Sequence, residues 1–137
     1  MKLQKARILL TGACGGLGQE LAVQLASAGA KLLLAGRDRA RLAATIGMIG
    51  SGHSSLTADL TSPEGIAEAT GAAQAFGVNV LINNAGIGGF GLYDEQDWPT
   101  VARILAINLE TPMRLTQAML PALKAQPQAA IVNMGST

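Results

Sequence analysis

Short aliphatic runs at residues 6–10, 31–35, 53–58, 78–82 and 129–134 alternate with longer stretches at 16–28, 39–48, 63–76 and from 98 to about 125. The longer stretches carry apolar residues at helical spacing. Strand-like and helix-like segments in alternation predict an α/β fold with a parallel sheet covered on both faces. Runs such as Val80-Leu81-Ile82 lack polar alternation, as expected of strands with no solvent-facing side. The last helix has a clear start: Asp97 suits the cap and Pro99 the first turn. Pro112 then falls inside it and cannot donate to the carbonyl of Asn108. The sequence predicts one long helix kinked at Pro112, with the Asn108 carbonyl left for another partner.

Composition narrows the class. Aromatic residues make up only 3% of the chain, so aliphatic side chains and alanine must build the core. A net charge of +1 gives no reason to expect nucleic acid or an anionic membrane surface as partner. The single cysteine cannot form an intrachain disulfide, and no run reaches the length of a membrane span. These features predict a soluble cytoplasmic protein. His53 stands alone, without a second histidine or a cysteine near it in sequence, and reads as structural rather than as a metal ligand.

The chemistry concentrates at the ends of the predicted strands. Thr11-Gly12-Ala13-Cys14-Gly15-Gly16-Leu17-Gly18 joins the first strand to the first helix. Glycine permits a tight turn and leaves room for a pyrophosphate, while the helix N-terminus aims free N–H groups at one point. Gly12, Gly16 and Gly18 fit T-G-x-x-x-G-x-G; Gly12, Gly15 and Gly18 fit a second spacing equally well. Cys14 reads as a small filler in this turn. Gly36-Arg37 ends the second strand, where an acidic residue would suit the ribose hydroxyls of NAD; a guanidinium suits a 2′-phosphate instead. Arg37 therefore favours NADP(H), with NAD(H) the alternative. Asp59 follows the third strand, either facing adenine or, with Thr61, capping the helix at Pro63. Asn83-Asn84-Ala85-Gly86 ends the fourth strand; its two amides divide between holding strands together and lining a cofactor. Four glycines between Gly86 and Gly91 read as a mobile strip over the nicotinamide.

Taken in order along the whole chain, the glycine turn, Asp59, Asn83–Gly86, Asn108 and Ile131-Val132-Asn133-Met134-Gly135-Ser136 resemble the classical branch of the short-chain dehydrogenase/reductase family. The resemblance selects the T-G-x-x-x-G-x-G spacing. It implies the N-terminal part of a single doubly wound Rossmann domain, residues 1–137, with five strands in the order 3-2-1-4-5 and a sixth strand to follow. It implies that Thr11, Gly12, Gly15, Gly16, Leu17 and Gly18 cradle the pyrophosphate, that Asp59 and Leu60 flank adenine, and that Asn84, Ala85 and Gly86 line the ribose side. Ser136 matches the serine that hydrogen-bonds a carbonyl or alcohol substrate. Asn108 matches the asparagine whose backbone carbonyl holds a relay water. The family's acid/base tyrosine and lysine are not within these residues: the only tyrosine, Tyr93, has no lysine four residues on. A phenol of pKa about 10 needs such an ammonium to work near neutrality. The expectation is an NADP(H)-dependent oxidoreductase of small carbonyls or alcohols, homo-oligomeric when whole. The alternative is a non-catalytic nucleotide-binding domain or an inactive truncated product.

Overall fold

The order of the strands in space follows from which of them are aliphatic throughout. In a computed structural model, which describes residues 1–136, five parallel strands form one sheet in the order β3-β2-β1-β4-β5. They are β1 (Arg7–Thr11), β2 (Lys31–Gly36), β3 (Ser54–Thr57), β4 (Val80–Asn83) and β5 (Ala130–Asn133). The central three are nearly all buried, and β1 pairs with β2 from Arg7 opposite Lys31 and with β4 from Ile8 opposite Val80.

Alternate residues of these strands feed two cores, as a period of two requires. Leu9, Leu33 and Leu81 face α3 (Pro63–Phe76) and α5 (Thr111–Lys124), meeting Ala69, Ala73, Leu115 and Met119. Ile8, Leu10, Leu32 and Leu34 face α1 (Gly16–Ser27) and α2 (Arg39–Ile49), meeting Ala22 and Leu42. The sheet is therefore doubly wound, and the direction of winding reverses between β1 and β4. In such sheets a crevice opens at that reversal, beyond the carboxyl ends of the strands.

Two elements differ from the sequence expectation. The third strand is shorter than 53–58: it is the sheet edge Ser54–Thr57, with its two serines exposed. His53 precedes it and accepts the Leu32 N–H at Nδ1, 3.1 Å away, which gives the residue a structural task. The long helix is not one kinked helix. It is α4 (Trp98–Leu105), a single π-turn over Ala106–Glu110, and α5. Pro112 lies in the first turn of α5, and the N–H of Thr111 reaches back to the carbonyl of Ala106. Proline offers no N–H at that point, so the ladder changes register just before it. Asp97 caps α4 as expected, accepting the Thr100 N–H at 2.9 Å. Among the described residues, no helix is long and apolar enough to cross a membrane.

Candidate functional site

A cleft of about 590 Å³ opens where the winding reverses. Its floor is the glycine turn. Gly12 has φ +66°, and a Cβ there would come within 2.7 Å of the Ala85 Cα. At Gly18 a Cβ would collide with the Gly12 carbonyl oxygen. These two glycines let the turn close on β4 and on its own helix. Gly15 and Gly16 serve a different need: a Cβ at Gly16 would meet nothing within 4 Å, and one at Gly15 only the Gly12 carbonyl at 3.7 Å. Their missing side chains leave space on the cleft side. Gly15 caps α1 without a side chain, so the first N–H groups of the helix are directed at the cleft. Leu17, 58% exposed, stands at the same edge.

Thr11 takes a different place from its neighbours. It is buried, lies behind the turn and is not among the cleft residues. Its hydroxyl accepts the N–H groups of Asn84 and Ala85, each at 3.0 Å, and donates to the Ile82 carbonyl at 3.4 Å. All the capacity of one hydroxyl is taken. Thr11 thus positions the chain after β4 against the glycine turn, and its side chain is not part of the cleft lining. The Asn84 side chain completes the join, donating to the carbonyls of Thr11 at 3.1 Å and Gly12 at 3.3 Å. Asn83 points to the other side, donating to Asn133 at 2.8 Å and Thr116 at 3.3 Å. Both amides hold protein together. Asn84, with Ala85 and Gly86, also forms part of the cleft wall.

The far end of the cleft is made by the tips of β2 and β3. Arg37 and Arg41 both line it. Asp38 caps α2 by accepting the Arg41 N–H at 3.0 Å, and its carboxylate lies 3.7 Å from the Arg41 guanidinium. Arg41 was not foreseen; it lies in the first turn of α2, directly after the strand tip at Gly36-Arg37, and that closeness was the available signal. Cys14 packs under this tip with its thiol 3.5 Å from the Asp38 carbonyl, and a Cβ at Gly36 would strike that sulfur. Gly36 is what lets the strand end rest on the glycine turn.

Asp59 and Leu60 line the wall between these two ends. The Asp59 carboxylate accepts both the N–H and the hydroxyl of Thr61, at 3.0 and 2.6 Å. Those bonds, with a smaller contribution from the Arg37 guanidinium, hold the carboxyl below its ordinary range. Neither residue caps α3. Ser62 does, accepting the Gly65 N–H at 3.0 Å. At Gly65 a Cβ would collide with the Asp59 carbonyl, so the helix starts directly under the loop.

Asn108 lies outside this cleft and lines a second one of about 540 Å³, between α5 and the tips of β4 and β5. Its carboxamide grips the backbone of Ile87 at two points, accepting the N–H and donating to the carbonyl, both at 2.8 Å. The Gly86–Gly91 strip is therefore tied at its root, and Gly89 packs so closely on α4 that a Cβ would meet Ile104 at 2.9 Å. Ser136 follows β5 by three residues, is exposed, and lines neither cleft. Tyr93 sits exposed on a short 3₁₀ turn, also away from both.

The family model for short chain dehydrogenases matches residues 6–137. Dehydrogenase/reductase SDR family member 7B of Mus musculus is 37% identical over 98% of the chain, which covers 44% of that protein. Among solved structures, a metagenomic short-chain oxidoreductase in complex with NADP superposes with a TM-score of 0.89 at 34% identity, over all of this chain and 64% of that one. A 3-ketoacyl-(acyl-carrier-protein) reductase from Brucella melitensis, complexed with NADH, gives 0.92 at 30% identity, over 98% of this chain and 58% of that one. The chain spans about half the length of the curated relatives it matches.

Proposed function

Since the chain belongs to the short-chain dehydrogenase family, we propose that it is the nucleotide-holding part of an oxidoreductase that interconverts a carbonyl and an alcohol with NADP(H). The observation that carries this reading is the floor of the cleft. Gly12 and Gly18 have no room for a Cβ, while Gly15 and Gly16 leave theirs open beneath the start of α1. A turn built that way fits a pyrophosphate, which needs close backbone approach and N–H donors.

The remaining roles are those the family resemblance implies for these residues. Gly12, Gly15, Gly16, Leu17 and Gly18 hold the pyrophosphate, Asp59 and Leu60 flank the base, and Asn84, Ala85 and Gly86 line the ribose next to the reacting ring. When bound, the nicotinamide gives or takes the hydride. Ser136 hydrogen-bonds the substrate oxygen. Asn108 contributes twice: its backbone carbonyl, to which Pro112 cannot donate, would hold a water for proton transfer, and its carboxamide fixes the Ile87 backbone.

Arg37 supports NADP(H) over NAD(H). Arg41 is already beside the Asp38 carboxylate, whereas Arg37 is exposed at the cleft without an ion-pair partner among the described residues. Its planar fork is suited to a 2′-phosphate. The test is titration of the full-length protein and its Arg37→Ala variant with NADPH and NADH. The variant is expected to lose about tenfold or more in NADPH affinity, as for a charge-assisted hydrogen bond, and little for NADH. Equal losses for the two nucleotides would refute the assignment of Arg37.

A further inference from the structure

We infer that the Thr111 hydroxyl is a positioning group that ties the Asp59–Leu60 wall of the cleft to the π-turn ahead of α5. The inference rests on the dinucleotide reading of the cleft and adds a residue that neither the glycine turn nor the strand-tip motifs contain.

Thr111 is almost wholly buried, yet it reaches the cleft between the two walls. Its Oγ1 lies 2.8 Å from the Ala106 carbonyl and 3.1 Å from the Leu60 carbonyl. A hydroxyl carries one proton and can donate to only one of these at a time. The two acceptors are not equivalent. The Ala106 carbonyl already accepts the Thr111 backbone N–H, which closes the π-turn. The Leu60 carbonyl has no other protein donor among the described residues. An unpaired buried carbonyl is costly, so the proton is needed more at Leu60.

The loop at Leu60 makes this tie matter. The Asp59 carboxylate is satisfied by Thr61, two residues on. The Asp59 carbonyl accepts the N–H of Ser62 at 3.2 Å and its hydroxyl at 2.9 Å. Most of the loop's polar groups therefore bond inside the loop. Ser62 joins the end of the loop to α3, accepting the N–H groups of Gly65 and Ile66. Two further hydrogen bonds reach other elements: Ala58 N–H to the Gly36 carbonyl at 3.0 Å, on the β2 side, and Thr111 on the π-turn side. Without Thr111 the wall is held by β2 and by the start of α3, with no hydrogen bond to the π-turn. The same side chain sits at the residue whose N–H defines the π-turn, three residues after Asn108. One hydroxyl thus sets the position of the base-facing wall relative to the turn that presents Asn108.

The test compares the full-length protein with Thr111→Val, which keeps the shape and loses the proton, and Thr111→Ser, which keeps the proton. Amide exchange at Thr61 and Ser62 is expected to speed up about fivefold in the valine variant, as for loss of one net hydrogen bond, with the amides of β1 and β2 unchanged. Affinities for ADP and for NADPH should fall together by a similar factor, because the lost contact lies at the base end. Serine should restore both readouts. If valine leaves Thr61 and Ser62 exchange unchanged, or if serine loses as much as valine, the hydroxyl is not the tie and the inference fails. A loss for NADPH with none for ADP would also overturn it. If the unmodified protein binds neither nucleotide, the dinucleotide reading fails, while the exchange data still decide whether Thr111 holds the loop.

Discussion

Replacing Thr11 by valine removes a hydroxyl from the join between β1 and β4 while leaving the side-chain shape almost intact. In the native fold that hydroxyl accepts two backbone N–H groups, from Asn84 and Ala85, and donates to the Ile82 carbonyl. Thr11 is 2% exposed, so water cannot follow the lost oxygen in from that side. Asn84 and Ala85 are half-buried at the cleft rim, where one freed N–H can turn to solvent. A buried donor left unpaired costs about 1–3 kcal/mol. With one N–H rescued and one stranded, and the weak bond to Ile82 also gone, Thr11→Val is expected to cost about 2–4 kcal/mol. Urea denaturation of the full-length protein measures this, with Thr11→Ser as the variant that keeps the oxygen and should recover most of the loss. Exchange at the Asn84 and Ala85 amides should rise with it. Nucleotide affinity should fall too, since a looser Ala85 no longer closes against Gly12. A Thr11→Val protein within about 0.5 kcal/mol of the parent, the range of ordinary surface changes, would show that this hydroxyl does not hold the site.

The Asn108 clamp on Ile87 distinguishes acceptor from donor. Asn108→Asp keeps an acceptor for the Ile87 N–H but sets an oxygen against the Ile87 carbonyl, so at neutral pH Ile87 exchange should be faster than in the parent; near pH 4, where a carboxyl regains a proton to donate, that gap should narrow, whereas in Asn108→Ala it should not. A gap that narrows no more in Asn108→Asp than in Asn108→Ala would argue against a two-point grip. His53 sets a pH dependence. Burial, and next the Lys31 ammonium, lower its pKa against a smaller opposing backbone hydrogen bond at Ile49. The unfolded chain then takes up the proton first, so His53's stabilising contribution is complete above the unfolded value of about 6.5 and is lost as pH falls from there towards the folded value. Melting temperature should drop as pH falls below about 6.5, and His53→Gln, whose amide oxygen can still accept the Leu32 N–H, should flatten that drop. An unchanged pH profile in the variant would remove His53 from the account.

What the sequence revealed depended on whether a residue's task was local or shared. The strands β1, β2 and β4 were legible because burial on both faces demands uninterrupted aliphatic side chains. The edge strand β3 carries Ser54 and Ser55 and was legible only as a rough interval, since pairing from one side puts few demands on composition. Strand order and the family are as expected. The glycine turn could be read as a close approach, but not which glycine approaches what: Gly12 yields to Ala85, Gly18 to its own turn, and Gly16 to open space. Thr11 and Asn84 were recognised as part of the motif, while their bonds to each other, 73 residues apart, depend on the register of β1 against β4. Pro112 signalled a break in the helix but not its form. The π-turn uses the Thr111 N–H, and the Thr111 side chain is held by Leu60 from another part of the fold.

The reversal of winding between β1 and β4 also fixes when the site can come into being. The partners of β1 on the β2 side lie 24 residues along the chain, whereas the Thr11–Asn84 join spans 73. Closing the longer loop costs about 1 kcal/mol more by the logarithmic dependence on length, a small thermodynamic difference. The kinetic difference is larger in kind. A growing chain that has made only β1, β2 and β3 has the glycine turn but not Asn84 or Ala85 to shape it. The cradle is therefore a product of long-range assembly, and no nascent fragment that stops short of β4 contains the full set of groups that close it.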